Sequence, residues 1–170
     1  PAIAGDEAGN VLIVWQSKGQ DHVDASFGIY GQWYDNLGAA IGTEFLVNTT
    51  TAGDQKSPTV AMDESGNTVV AWQSDGQDGD DWGIYYTRFD SVGDTAGTEL
   101  RANVATLGRQ QAPTVAAAAN GNFVIAWEAV DPAGGSDASL DIYARVYDGA
   151  GTEIAAESRV NTDMVRDQVT

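Results

Sequence analysis

The chain has 170 residues, no cysteine and a formal net charge of −17, from 25 acidic and 8 basic residues. The missing cysteine excludes disulfides and thiolate chemistry, and the charge disfavours nucleic-acid phosphate and anionic membrane surfaces as partners. Hydrophobic residues make up 42% of the chain, enough for a packed core, and no apolar run reaches the roughly 18 residues that would span a bilayer. The first residue is Pro rather than Met, so we expect a piece of a longer protein.

Three copies of one repeat fill the chain, and we expect them to occupy residues 1–57, 58–112 and 113–170 as one array. A proline heads each copy, at intervals of 57 and 55 residues, and a tryptophan follows each proline by fourteen residues. The prolines are Pro1, Pro58 and Pro113, and the tryptophans are Trp15, Trp72 and Trp127. Repetition at this period indicates an architecture in which neighbouring units bury one another's apolar faces.

Each copy reads as four short strands, taken here from the second copy. Apolar runs at 59–62 and 68–73 flank the turn-rich segment 63–67, which predicts a hairpin. A strand with better alternation follows at 84–89, and a short fourth strand at 99–102. The other copies repeat this order, so the sequence predicts an all-β chain with three four-stranded antiparallel units.

The pattern favours β-propeller-like blades, because the first strand of each copy is rich in alanine and strands packed around a common axis need small side chains. The second strand is apolar and ends in tryptophan, which predicts a core position for that ring. A β-sandwich or an open stack of sheets is the alternative. Three blades are fewer than propellers use, so we expect a homodimer that closes a six-bladed ring, or further repeats in a longer chain.

The repeated motif also resembles tandem repeats of large secreted bacterial proteins. The pattern PTVA…GNxVVAWQS…GIYxxRFD recurs in such arrays beside hemolysin-type calcium-binding and adhesin-like regions. The resemblance implies an extracellular or cell-surface location and possible calcium dependence. The glycine-rich nonapeptide that binds calcium in hemolysin-type proteins is absent here, so the resemblance supplies no metal ligand.

The loop between the second and third strands is the candidate metal site. Calcium takes about six to eight oxygen ligands, and closely spaced carboxylates in a glycine-containing loop supply several. The candidate ligands are Asp75, Asp78, Asp80 and Asp81 in the second copy and Asp21 and Asp24 in the first. Their spacing does not match an EF-hand, and a solvated polar loop is the alternative interpretation.

Four aromatic residues are the candidate ligand-binding groups, since aromatic rings stack on sugar faces. Phe27 and Trp82 precede the third strand inside polar loops, Trp33 lies near the end of that strand, and Tyr86 lies within it. We predict that Trp82 and Phe27 are the more exposed of the four.

Polar residues that recur in every copy predict a shared structural role. Asp35, Asp90 and Asp148 each stand before a glycine-containing turn, where an aspartate caps backbone amides. The pairs Asp54-Gln55 and Asp167-Gln168 are predicted to do similar work at the junction between copies.

We therefore expect a non-enzymatic extracellular module for adhesion, ligand binding or spacing, with calcium as a structural ion and a glycan or surface protein as partner. A carbohydrate-binding, lectin-like propeller is the first alternative, and a fragment of a glycan-processing enzyme is the second. No residue shows a recognisable catalytic motif, so catalytic residues are not assigned.

Overall fold

The computed structural model describes residues 1–20, 25–130, 140–162 and 169. These residues form twelve strands and no helix. The described part of the chain therefore contains no helix that could cross a membrane. The strands are β1 (Ala2–Gly5), β2 (Val11–Lys18), β3 (Phe27–Tyr34), β4 (Ala40–Leu46), β5 (Gln55–Met62), β6 (Thr68–Asp75), β7 (Trp82–Phe89), β8 (Leu100–Arg101), β9 (Gln110–Ala117), β10 (Phe123–Val130), β11 (Leu140–Tyr147) and β12 (Glu153–Arg159).

The strands form three antiparallel sheets of four, each in chain order: β1 to β4, β5 to β8 and β9 to β12. We call these sheets the first, second and third blades. The prediction of an all-β chain with three four-stranded repeats is confirmed. Strand β1 contacts β5, and β5 contacts β9, so the first strand of each repeat lies at the inner edge of its blade.

Strands β5 and β9 begin at Gln55 and Gln110, three residues before the prolines that head the repeats in the sequence. A β-bulge lies at each proline, and the residue before it has a positive φ, 53° at Ser57 and 49° at Ala112. The bulge is needed because proline has no amide hydrogen for the ladder.

The hydrophobic core lies between the blades in two layers, one for each pair of neighbours. Trp72 is 0% exposed between the first and second blades, and Trp127 is 1% exposed between the second and third, as predicted. Trp15 is only half-buried, because no blade precedes it in the described part of the chain.

The turn after the third strand is capped by aspartate in all three blades, which confirms that prediction. The Oδ1 atom accepts hydrogen bonds from the backbone amides two and four residues later, at 2.8–3.1 Å. The capping residues are Asp35, Asp90 and Asp148. These contacts are local, which is why the repeat pattern revealed them.

A buried clasp of one asparagine and one glutamine joins consecutive blades. The side-chain oxygens of Asn48 and Asn103 accept the amide of the isoleucine in the third strand, at 2.7 and 2.8 Å. Their nitrogens donate to Gln55 and Gln110, which in turn donate to carbonyls of the connecting loop. Gln55 lies at the junction as predicted, but it binds the Asn48 side chain and loop carbonyls instead of capping turn amides. Gln110 makes the equivalent contacts at the next junction, and Asp167-Gln168 lies outside the described residues.

Candidate functional site

The two aromatic residues predicted to be most exposed occupy equivalent positions at one end of the first two blades. Phe27 begins β3 and pairs with Lys18, the last residue of β2. Trp82 begins β7 and pairs with Asp75, the last residue of β6. Both rings are half-buried, so each retains some surface at the end of its blade.

Lys56 brings these two rings together. Its ammonium nitrogen lies 4.6 Å from the centroid of Phe27 and 5.6 Å from the centroid of Trp82. The ammonium of Lys18 lies 5.7 Å from the centroid of Phe27. Both lysines of this strongly acidic chain therefore lie over one ring, a geometry in which the ring quadrupole attracts the cation.

Asp54 holds Lys56 in place and links the blades. Its Oδ2 lies 2.5 Å from the Lys56 ammonium, and its Oδ1 accepts the Phe27 amide at 3.0 Å. Desolvation raises the pKa of the Asp54 carboxyl, but the hydrogen bonds from Lys56 and Phe27 and the charges of the two lysines outweigh it. The pKa of Asp54 is therefore lowered, and the carboxylate is ionised at neutral pH.

We call Phe27, Trp82, Lys18, Lys56 and Asp54 the Phe27–Trp82 cluster. It combines two aromatic rings with charged donors and one acceptor at the junction of two blades. Sites for small polar molecules have this composition, an apolar wall with a few polar groups that fix orientation. The sequence pattern identified the rings and placed Asp54 at the junction between copies. It missed Lys18 and Lys56, because only folding brings both lysines to Phe27.

The other two predicted aromatic residues lie within the layers between blades. Trp33 packs edge to face on Phe89, with centroids 6.3 Å apart, and its indole lies against the turn at Gly93. Tyr86 is 2% exposed and packs against Phe123 and Tyr147. The Tyr86 ring thus has no face open to a ligand. Trp33 contributes to the blade interface and is half-buried, as Phe27 and Trp82 are.

Of the predicted metal ligands, Asp78 and Asp80 fasten their loop to the next junction. Asp78 accepts a hydrogen bond from Asn103 at 3.0 Å, and Asp80 accepts the Gly108 amide at 2.9 Å. Asp75 and Asp81 are exposed, and Asp21 and Asp24 lie outside the described residues. In the part of the chain that the structure describes, no three or more His, Cys, Asp or Glu residues are placed to hold a metal ion. Calcium binding stays a prediction.

No family model matches the sequence, and no curated protein is similar enough to match it. Solved structures do match. The chain aligns over 95% of its length with 61% of an endo-arabinase from Bacteroides thetaiotaomicron, at 14% identity and a TM-score of 0.56. It aligns over 98% of its length with 60% of a thermostable family-43 glycoside hydrolase, at 12% identity and a TM-score of 0.54.

These similarities define the fold class: the three blades are of the β-propeller type. The chain spans about three fifths of the length of both matching structures. Nothing among the matches supports the resemblance to hemolysin-type adhesins in particular. The expectation of a non-enzymatic protein is contradicted, because both structures are glycoside-hydrolysing enzymes, and we withdraw it.

Proposed function

We propose that this chain is part of a glycan-processing β-propeller and that the Phe27–Trp82 cluster binds the glycan. The observation that carries the proposal is the convergence of Phe27 and Trp82 on Lys56, at the junction of two blades. The propeller-type fold that the chain shares with an endo-arabinase and a family-43 glycoside hydrolase supports it.

The cluster offers each kind of contact that a sugar requires. Sugar C–H groups pack on the aromatic rings, which provide large contact areas at low entropic cost. The Lys56 ammonium has three donors, of which Asp54 takes one, so two can serve sugar hydroxyls. The ionised Asp54 carboxylate, with its lowered pKa, accepts hydrogen bonds from hydroxyls.

Hydrolysis makes a further demand that separates binding from turnover. Glycosidases use a pair of carboxyl groups, one of which must be protonated to act as general acid. Asp54 cannot be that acid at neutral pH because its pKa is lowered. The strands at the inner edges of the blades, β1, β5 and β9, contain no Asp or Glu that could supply the pair. We therefore assign binding to the cluster and test turnover as a separate readout.

Arabinan oligosaccharides are the first probe, because one matching structure is an endo-arabinase. We expect isothermal titration to detect binding of these oligosaccharides. Trp82→Ala and Phe27→Ala should each weaken the affinity by about tenfold. Burial of a whole phenylalanine side chain contributes about 1.5–3 kcal/mol, and a sugar covers one face of the ring, so we expect a loss of about 1.4 kcal/mol, which corresponds to tenfold in affinity. Release of reducing ends from the same samples measures turnover.

Leu37→Ala is the matched control, since Leu37 is an 89% exposed apolar side chain in the turn beyond the opposite end of β3. It should leave binding unchanged. Equal weakening by Leu37→Ala would show a general effect on the fold, and binding that survives both aromatic substitutions would refute the assignment of the cluster. Failure to bind arabinan, xylan, galactan and cello-oligosaccharides alike would refute the proposed function.

A further inference from the structure

The two layers between blades are built by the same rule. Each blade has a front face, which carries its tryptophan, and a back face. The front face of each later blade packs on the back face of the blade before it. The front-face residues are Val60, Val70 and Trp72 in the second blade and Val115, Ile125 and Trp127 in the third; the back-face residues they meet are Leu12 and Val14 in the first blade and Val69 and Ala71 in the second.

The first blade has a front face that no described blade covers. Ile3 is 62% exposed, whereas Val60, at the equivalent position of the second blade, is 8% exposed. Ile13 and Trp15 are half-buried, although their counterparts in the second blade are fully buried. The front face of the first blade is therefore an apolar surface of the kind that is buried twice elsewhere in this chain.

The third blade has a complementary open back face. Val124 is half-buried, whereas Leu12 and Val69, at the same position in the other two blades, are 0% and 5% exposed. With Val146 and Ala116, it lines a shallow apolar depression of about 260 Å³. This depression is where the front face of another blade would pack if the internal rule continued.

A polar contact repeats at both internal interfaces. Glu99 accepts the Thr49 amide of the preceding blade at 2.7 Å, and Glu157 accepts the Val104 amide of its preceding blade at 2.5 Å. Glu99 and Glu157 stand four residues before Asn103 and Asn161, and each amide follows the clasp asparagine of the preceding blade, Asn48 or Asn103. Asn161 accepts the Ile142 amide at 2.9 Å, as Asn48 and Asn103 accept the equivalent amides. The second oxygen of Glu99 accepts a hydrogen bond from Gln77.

Glu44 occupies this position on the open front face. Gln20 donates to it, as Gln77 does to Glu99, so Glu44 is held as the internal glutamate is. The matching amide on the open back face is that of Thr162, which follows Asn161. The two open faces of one chain thus match each other in both apolar and polar positions.

We propose that a second copy of this chain occupies these faces, so that the first blade of one copy packs on the third blade of the other. Glu44 then accepts the amide of the partner's Thr162, and Ile3, Ile13 and Trp15 cover the partner's Val124. A head-to-tail contact either closes a ring or propagates as a filament. Two copies with both contacts made form a closed ring of six blades, within the four to eight that propellers use, and leave no face open.

The first test is the mass of the purified chain by sedimentation equilibrium at micromolar concentrations. We expect twice the chain mass of 17.8 kDa. Ile13→Asp on the front face and Val124→Asp on the back face should each raise the dissociation constant about tenfold or more, because both lie at the centre of the contact. Leu37→Asp adds the same charge outside both faces and should leave the dimer intact, while circular dichroism verifies that each variant is folded.

The second test uses the absence of cysteine from the sequence. Glu44→Cys and Thr162→Cys chains, each alone, should not be joined by a short bismaleimide, whereas their mixture should give a covalent dimer. A monomer at every concentration, a dimer insensitive to both aspartate substitutions, or an unlinked mixture would overturn the proposal. Species larger than a dimer in the sedimentation measurement would overturn ring closure. The outcome is independent of glycan binding, because the Phe27–Trp82 cluster lies between two blades of one copy.

Discussion

Truncation of the buried Asn103 side chain tests whether the asparagine–glutamine clasp holds the second and third blades together. Asn103 is 2% exposed. Its oxygen accepts the Ile84 amide at 2.8 Å, and its nitrogen donates to the Ala105 carbonyl at 2.7 Å, Asp78 at 3.0 Å and Gln110 at 3.1 Å. Asn103→Ala would leave these groups without their partner while keeping the backbone unchanged.

The expected cost follows from the buried groups left unpaired. An unsatisfied buried donor or acceptor costs about 1–3 kcal/mol. The Ile84 amide and the Gln110 oxygen are both buried, so we expect Asn103→Ala to lower the free energy of unfolding by about 3–4 kcal/mol. For a chain of this length, that corresponds to a fall in Tm of about 6–16 °C.

Urea unfolding followed by both tryptophan fluorescence and circular dichroism is the assay, because two probes reveal whether blades unfold separately. Asn36→Ala is the matched control, since Asn36 makes one exposed hydrogen bond, to the Ala8 carbonyl, and should cost about 0.5 kcal/mol or less. Asn103→Asp should be as damaging as Asn103→Ala, since a carboxylate has no hydrogen to donate to the acceptors around it. Equal stability of Asn103→Ala and Asn36→Ala would refute the reasoning.

Three further predictions concern a glycine, a carboxylate and two phenols. Gly53→Ala should lower the free energy of unfolding in urea by about 2–3 kcal/mol, because φ is +74° and a Cβ would lie 2.6 Å from a carbonyl oxygen. Gly38→Ala is the control, with φ +80° and open space around the Cβ, and should cost only about 1 kcal/mol. Equal costs would show that the Cβ at residue 53 meets no steric clash. The pKa of Asp54 is lowered, so its ionised form stabilises the fold above the ordinary pKa of 3.8, and this contribution is lost as the pH falls through the lower folded value. Asp54→Asn should therefore reduce the urea midpoint at neutral pH but not in strong acid. A difference in midpoint that does not change with pH would contradict a stabilising role of the ionised carboxylate. Burial raises the pKa of Tyr86 and Tyr147 above 10.0, so both should stay protonated in the folded protein when exposed tyrosines ionise, and the free energy of unfolding should fall as the pH rises above 10.0. In a titration followed by tyrosinate absorbance, Tyr147→Phe should remove one of the phenols that ionise last. Ionisation of Tyr147 together with the exposed tyrosines would contradict its burial.

Features that depend on neighbours in the sequence were predictable from it. The turn aspartates bind amides two and four residues away, so the pattern of Asp90 before Gly93 was enough to predict the cap. The strands followed in the same way, from alternation and from turn residues between apolar runs. Trp72 and Trp127 were predicted to be core because each ends an apolar strand.

The early start of β5 was not predictable in this way. The Ser57 amide at the bulge is accepted by Gln16 at 2.9 Å, and Gln16 belongs to the blade before. The same contact joins Ala112 to Gln73 at 3.0 Å. A glutamine some forty residues earlier therefore decides whether the residues before the proline pair with the next strand. No pattern in the neighbouring sequence reveals that contact.

The candidate site shows the same division. The polar loops indicated that Phe27 and Trp82 were accessible rings, whereas Tyr86 followed the same aromatic criterion and lies buried in the next layer. Only the packing of the first blade against the second brings Lys56 onto both rings and Asp54 onto the Phe27 amide.

The sequence by itself determined the number of repeats, the strands and turns within each, and the strong negative charge, because these depend on composition and on short-range spacing. The tertiary structure alone decided which face of each blade is buried, which charged residues meet the accessible rings, and that the two end faces match. Those properties depend on how one blade is placed against the next, through contacts such as that of Glu99 with the Thr49 amide, which join residues far apart in the chain.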